Sequence, residues 1–120
     1  MLFRSLGNAS GTYSGVMSGT GGLTVSGGTA TLTGVNTYSG ATSIGSGSTL
    51  ALSTGGSIAD SSVVTATGTF DISGTTSGAS IKSLAGAGGV TLGAKTLTLT
   101  AANDTYSGVM SGTEIGRAHV

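Results

Sequence analysis

Apolar residues in this chain come in short alternating pairs. Leu23 and Val25, Ala30 and Leu32, Leu50 and Leu52, Phe70 and Ile72, Val90 and Leu92, and Leu97 and Leu99 each stand two apart. That spacing is the mark of a strand with one buried face, because successive side chains of a strand point to opposite sides. Each segment is too short and too β-branched for a helix. Gly, Ser, Thr and Asn fill the intervals and suit tight turns. Apolar centres recur every seven to thirteen residues, a spacing open to an antiparallel sandwich or to a parallel coil of strands. Antiparallel hairpins favour Asn-Gly or Asp-Gly turns, and the chain contains neither dipeptide. Repeats and glycines at the bends favour a solenoid whose rungs stack, with three strands in roughly 20 residues per rung. The buried stripe is expected to include Leu23, Leu32, Leu50, Val63, Phe70, Ile81, Leu92 and Leu99.

The competing reading of so much Gly and Ser is a flexible linker. There are 24 Gly, 21 Thr and 19 Ser among 120 residues, but apolar residues still make up 37%. Because they fall in ordered pairs, a repetitive β protein is the better reading. Formal net charge is zero, which leaves no electrostatic footprint for nucleic acid or an anionic membrane. With no cysteine there is neither a disulfide framework nor thiol chemistry. No apolar run approaches the roughly 20 residues of a membrane helix, so direct membrane insertion by this segment is not expected.

Residues 21–52 carry GGLT at 21–24, TLTG at 31–34, NTYSG at 36–40 and STLAL at 48–52. In this order they resemble the autotransporter-associated β-strand repeat, also called the passenger-associated transport repeat. Three departures mark the match. Val25 stands where Lys is usual, the turn at Gly27 and Gly28 is one residue short, and the turn around residues 46–48 is one residue long. Residues 8–20, NASGTYSGVMSGT, return as NDTYSGVMSGT at 103–113, which makes Tyr13 and Tyr106 equivalent at a period of 93 residues. Asn36 to Gly40 is a shorter echo of the same element. The run 12–24 resembles the family's join between repeats. Residues 83–99 also look like a family segment, so the resemblance covers most of residues 6–113.

The resemblance implies a right-handed single-stranded parallel β-helix. It also implies a structural passenger segment of a type V secreted surface protein of a Gram-negative bacterium. Such a segment aids export and folding and forms a surface stalk. Its partner would be the C-terminal outer-membrane β-barrel of the parent protein. An adhesin segment that binds a host or glycan ligand is the alternative, and a polysaccharide-active β-helix comes third.

The two ends look foreign to this repeat. Residues 1–5 read MLFRS and residues 114–120 read EIGRAHV. The first back-translates to GTG CTC TTC CGA TCT, and a back-translation of the second contains its reverse complement, which looks like a sequencing adapter. The chain is therefore read as adapter at 1–5, β-helical passenger repeat at 6–113 and adapter at 114–120. Arg4, Arg117, Glu114 and His119 fall in the suspect ends. Lys82, Lys95, Asp60, Asp71 and Asp104 remain. An insert cut at both sides would leave open rung faces that associate with other copies.

Little remains for catalysis. Asp60 with Asp71 is the best catalytic pair a glycosidase could draw on, yet each acid, like Asp104, sits beside turn residues and reads first as a solvated or turn-capping group. Serine without a base is no nucleophile, and zinc lacks its Cys and His ligands. The calcium-binding nonapeptide is absent, and residues 86–89 precede a strand rather than a helix, so a phosphate loop is not expected. No cofactor, no metal and no hydrolase or transferase activity are expected. Tyr13, Tyr38 and Tyr106 are assigned to stacking along the solenoid. Asn36 and Asn103 are assigned to holding turns through side-chain to backbone hydrogen bonds.

Overall fold

The computed structural model describes residues 4–7 and 11–112, with side chains described over 11–112. The expected adapter segment at 114–120 and the first three residues of the one at 1–5 lie outside the described residues. The described strands are β1 (Arg4–Gly7), β2 (Gly11–Tyr13), β3 (Leu23–Ser26), β4 (Thr29–Leu32), β5 (Thr42–Ile44), β6 (Thr49–Thr54) and β7 (Val64–Ala66), followed by β8 (Thr69–Thr75), β9 (Ala79–Ile81), β10 (Leu84–Ala85), β11 (Gly89–Gly93), β12 (Leu97–Leu99) and β13 (Val109–Gly112). They form a five-stranded sheet in the order β1-β3-β5-β7-β10, a six-stranded sheet in the order β13-β11-β8-β6-β4-β2, and the pair β12-β9. Every pairing between these strands is parallel. The chain thus alternates between two walls as it climbs, and the third wall is strand only over β9 and β12. This is a parallel β-solenoid of about five turns.

Register explains why the apolar pairs recur. On the six-stranded wall, Gly11, Ala30, Leu50, Phe70, Val90 and Met110 stand in one column, one above the next. From Ala30 upward the step is 20 residues, the rung length read from the sequence. On the five-stranded wall the inward columns run Leu23–Thr42–Val64–Leu84 and Val25–Ile44–Ala66. These columns meet inside as a single core, in which Val25, Leu32, Leu50, Phe70, Ile72 and Leu92 have no exposed surface. Each fully buried Leu, Val or Phe contributes roughly 1.5–3 kcal/mol.

Seven of the eight residues expected in the buried stripe are there: Leu23, Leu32, Leu50, Phe70, Ile81, Leu92 and Leu99. The eighth is corrected by one position. Val63 is only half-buried and Val64 is buried in its place. The Val63 carbonyl accepts from Thr42 N at the corner before β7, so the strand begins one residue later. A one-residue slip exchanges the two faces of a strand, and two adjacent valines leave the alternation without a way to choose between them.

One corner is bare on four rungs: Gly28, Gly68, Gly88 and Gly108 stand there, and Ser48 takes the remaining place in the same series of 20-residue steps. Thr49 N donates to Gly28 O, Thr69 N to Ser48 O and Gly89 N to Gly68 O. Rungs touch here through backbone: a Cβ on Gly88 would stand 2.0 Å from Gly68 O.

Candidate functional site

The residues assigned to turns and stacking divide into a buried set and a surface set. Asn36 belongs to the buried set and ties three rungs together. Its Oδ1 accepts from Met17 N at 2.8 Å, and its Nδ2 donates to Gly34 O at 3.2 Å and to Ser57 O at 3.3 Å. Met17, Asn36 and Ser57 belong to successive turns, so the side chain reinforces the few backbone bonds of the irregular third wall at this height, among them Asn36 N to Ser57 O and Thr37 N to Met17 O. Asn36→Ala should cost about 1–3 kcal/mol by stranding buried partners, read as a lower melting temperature. Asn103 lies in solvent, and it is its backbone N–H that is held, by Ser83 Oγ at 3.1 Å. Asn103→Ala should therefore stay within about 0.5 kcal/mol of the parent chain.

Tyr38 lies inside the coil with 1% of its surface exposed. Its hydroxyl is 2.5 Å from Thr42 Oγ1, which is 2.8 Å from Ser61 Oγ, and Ser61 Oγ donates to Gly40 O at 2.7 Å. With the Ser61 proton committed to that carbonyl, Thr42 donates to Ser61 and Tyr38 donates to Thr42. The chain of hydroxyls satisfies the one polar position, Thr42, in an otherwise apolar inward column. Burial pushes the Tyr38 hydroxyl up to about 12 from 10.0, against the opposing pull of the Thr42 and Ser61 hydrogen bonds. Below pH 10 both folded and unfolded chains hold this proton, so the contribution is fully present. Between pH 10 and 12 only the unfolded chain releases it, and stability falls by about 1.4 kcal/mol per pH unit. Burial also raises Tyr106, with the same sign. Urea melts across this range should give a shallower alkaline decline for Tyr38→Phe than for the parent chain.

The structure does not bring the three tyrosines together. Tyr13 is at the end of β2, paired with Leu32 on the six-stranded wall. Tyr38 is in the corner that crosses Met17, through the bond from its N–H to Met17 O. Tyr106 bridges Gly86, beyond the end of β10, and its hydroxyl donates to Gly88 O at 2.7 Å. Each packs against the core at its own height and side, so they do not stack on one another.

The acids are also dispersed. Asp71 lies on the outer side of β8, and its Oδ1 accepts from Ser73 N at 2.9 Å and Ser73 Oγ at 2.6 Å. Both residues lie within β8, so these bonds hold the strand where its register with β6 shifts rather than capping a turn. Asp60 and Asp104 are exposed in connections away from β8. Among the described residues, no group of three or more His, Cys, Asp or Glu could hold a metal ion.

A groove of about 410 Å³ lies along the third wall, lined among others by Thr54, Ser57, Thr76, Ser77, Ser80 and Thr98. It opens where β6 ends in Thr54, the one described non-glycine residue with a positive φ, 58°, a conformation that costs roughly 1–2 kcal/mol. Hydroxyls, backbone and the methyls of Ala59 and Ala79 line the groove; its lining has no aromatic ring, carboxylate or cation. It can hydrogen-bond but has no group to move a proton near neutral pH. No sequence signal marked it, because it forms where loops and short strands of successive rungs meet. No family model matches the chain, and no curated protein or solved structure matches it.

Proposed function

We propose that the chain is a structural passenger segment of an autotransporter, a stalk that carries the parent protein outward and holds it at the cell surface of a Gram-negative bacterium. The observation that carries this reading is where the resembling motifs lie. GGLT enters β3, TLTG closes β4, NTYSG makes the Tyr38 corner with its buried hydroxyls, and STLAL forms β6. A unit of this kind docks only on its neighbours, so it can be multiplied to any length. Export then follows physically. Each rung that closes outside the cell buries another apolar stripe, at roughly 1.5–3 kcal/mol per Leu or Val, and sliding back would require reopening it.

The test is display. The chain is fused ahead of an outer-membrane β-barrel in a Gram-negative host, and whole cells are treated with protease. The reading expects the parent chain to be cleaved from outside and Phe70→Ala, whose rungs close with less free energy, to be displayed less. Equal display of both would contradict it.

A further inference from the structure

The third wall is interrupted within the described coil. Ser57 bridges Val35 on the rung below, and β9 pairs with β12 on the rung above, but no strand pairing joins Ser57 to β9. The groove of about 410 Å³ lies at this break, with residues 54–59 on one side and 76–80 on the other. Ala79 N donates to Thr96 O, and Ile81 O accepts from Thr100 N, so Ala79 and Ile81 turn their backbone groups toward β12. Successive residues of a strand direct these groups to opposite edges. The N–H and C=O of Ser80, between them, therefore face the break, and no described strand pairs with that edge of β9. The hydroxyls of Thr54, Thr76, Ser77, Ser80, Thr96 and Thr98 belong to the same lining, and none has a hydrogen-bond partner among the described residues. Thr54 adds an independent sign. It holds a φ of 58° at the groove, whereas every other described residue with a positive φ is glycine. Strained backbone of this kind clusters at ligand-holding sites.

We propose that this groove binds a short neutral saccharide. Each free hydroxyl can both donate and accept, and Ser80 adds one backbone donor and one backbone acceptor. That set complements a ligand whose own surface is made of hydroxyls. Ser80 and Thr98 are register partners on the outward side of the wall, about 4.8 Å apart, the scale on which hydroxyls are spread across a sugar ring. The volume falls in the range of small-molecule sites, about 300–1,000 Å³. Other chemistries fit less well. The lining has no carboxylate or cation, so a charged ligand would lose water without a charge-assisted bond to replace it. Lys95 lies close by, but its Nζ is directed to Thr76 O at 3.5 Å. Ala59 and Ala79 are the only purely apolar side chains of the lining, too little for a hydrophobic ligand. An extended peptide added to β9 would find one N–H and one C=O at Ser80, whereas strand addition draws its affinity from a row of main-chain bonds.

The test is an NMR titration of the isotope-labelled full chain with maltohexaose, cellohexaose and N-acetylchitohexaose, and with hexagalacturonate as the acidic comparison. At least one neutral hexasaccharide should give saturable shifts centred on residues 54–59, 76–80 and 96–98. Hexagalacturonate should bind more weakly or not at all. Ser80→Ala and Thr98→Val each remove a hydroxyl with little change of shape, and each should weaken binding about three- to tenfold. Ser77→Ala, also at an exposed position, stands in if Thr98→Val does not fold. Thr31→Val removes an outward hydroxyl on the six-stranded wall and should bind as the parent does. Thr54→Gly frees the strained φ, so it should melt no lower than the parent chain and still bind several-fold more weakly. No saturable shift with any neutral hexasaccharide, tighter binding of hexagalacturonate, shifts centred on another wall, or unchanged affinity in the hydroxyl-deleted variants of the groove would each overturn the proposal.

Discussion

Gly88→Ala should abolish the folded coil, whereas Gly55→Ala should leave it intact. At Gly88 an added Cβ would lie 2.0 Å from Gly68 O, 2.6 Å from Thr67 O and 2.7 Å from Ala66 O. All three are backbone atoms, so no side chain can rotate out of the way and the rungs themselves would have to part. Parting them breaks the bonds from Gly88 N to Ala66 O and from Gly89 N to Gly68 O. The loss should exceed about 4 kcal/mol, the range reserved for strain and broken networks. A chain of this size has about 5–15 kcal/mol in all. At Gly55 nothing stands within 4 Å of the added carbon, and restricting the unfolded chain stabilises by up to about 1 kcal/mol. Circular dichroism and denaturant melts of the two variants separate the outcomes.

Phe70→Ala should remove about 3–5 kcal/mol. The ring has no exposed surface and sits in the middle of its column, between Leu50 below and Val90 above. Neighbouring rungs are tied by backbone ladders on both walls, so the walls cannot collapse inward to fill the void. For about 100 ordered residues each kcal/mol lowers the melting temperature by about 4–8 °C, so the transition should drop by at least about 12 °C. The same deletion at an end, Met110→Ala, should cost far less, since Met110 is only partly buried.

The repetition of alternating pairs carried most of the fold, since columns 20 residues apart need no more than strands of fixed length and corners of fixed geometry. Two features were not legible, for different reasons. Val63 and Val64 break alternation, and only the hydrogen bond that starts β7 decides between them. Tyr13 and Tyr106 mislead because they lie in the same word, TYSGVMSGT at 12–20 and again at 105–113, that the coil sets in different places. The first word puts Tyr13 at the end of β2. The second puts Tyr106 at the Gly86 bridge and sends Val109 to Gly112 into β13. A separation of 93 residues is not a whole number of 20-residue rungs, so one word must meet different neighbours, and tertiary contacts override local preference. At the site, the local sequence assigns Asn36 to a turn, but its reach across three rungs is a property of stacking that no single turn displays. The hydroxyl chain from Tyr38 to Ser61 spans 23 residues and two corners, and only the register brings its members together.

In this coil, residues one rung apart lie side by side on parallel strands. The chain has no cysteine, so two can be added without competition. Thr31 and Ala51 are directly paired on the outer side of β4 and β6, about 4.8 Å apart across neighbouring strands, within the span a disulfide accepts. Thr31 and Asp71 stand two rungs apart, at about 10 Å, beyond its reach of about 7 Å. Mild oxidation of the folded Thr31→Cys/Ala51→Cys chain should give complete intramolecular cross-linking and a stability gain of about 3 kcal/mol. Thr31→Cys/Asp71→Cys should remain reduced. No cross-link in the first chain, or an equally efficient one in the second, would contradict the coil.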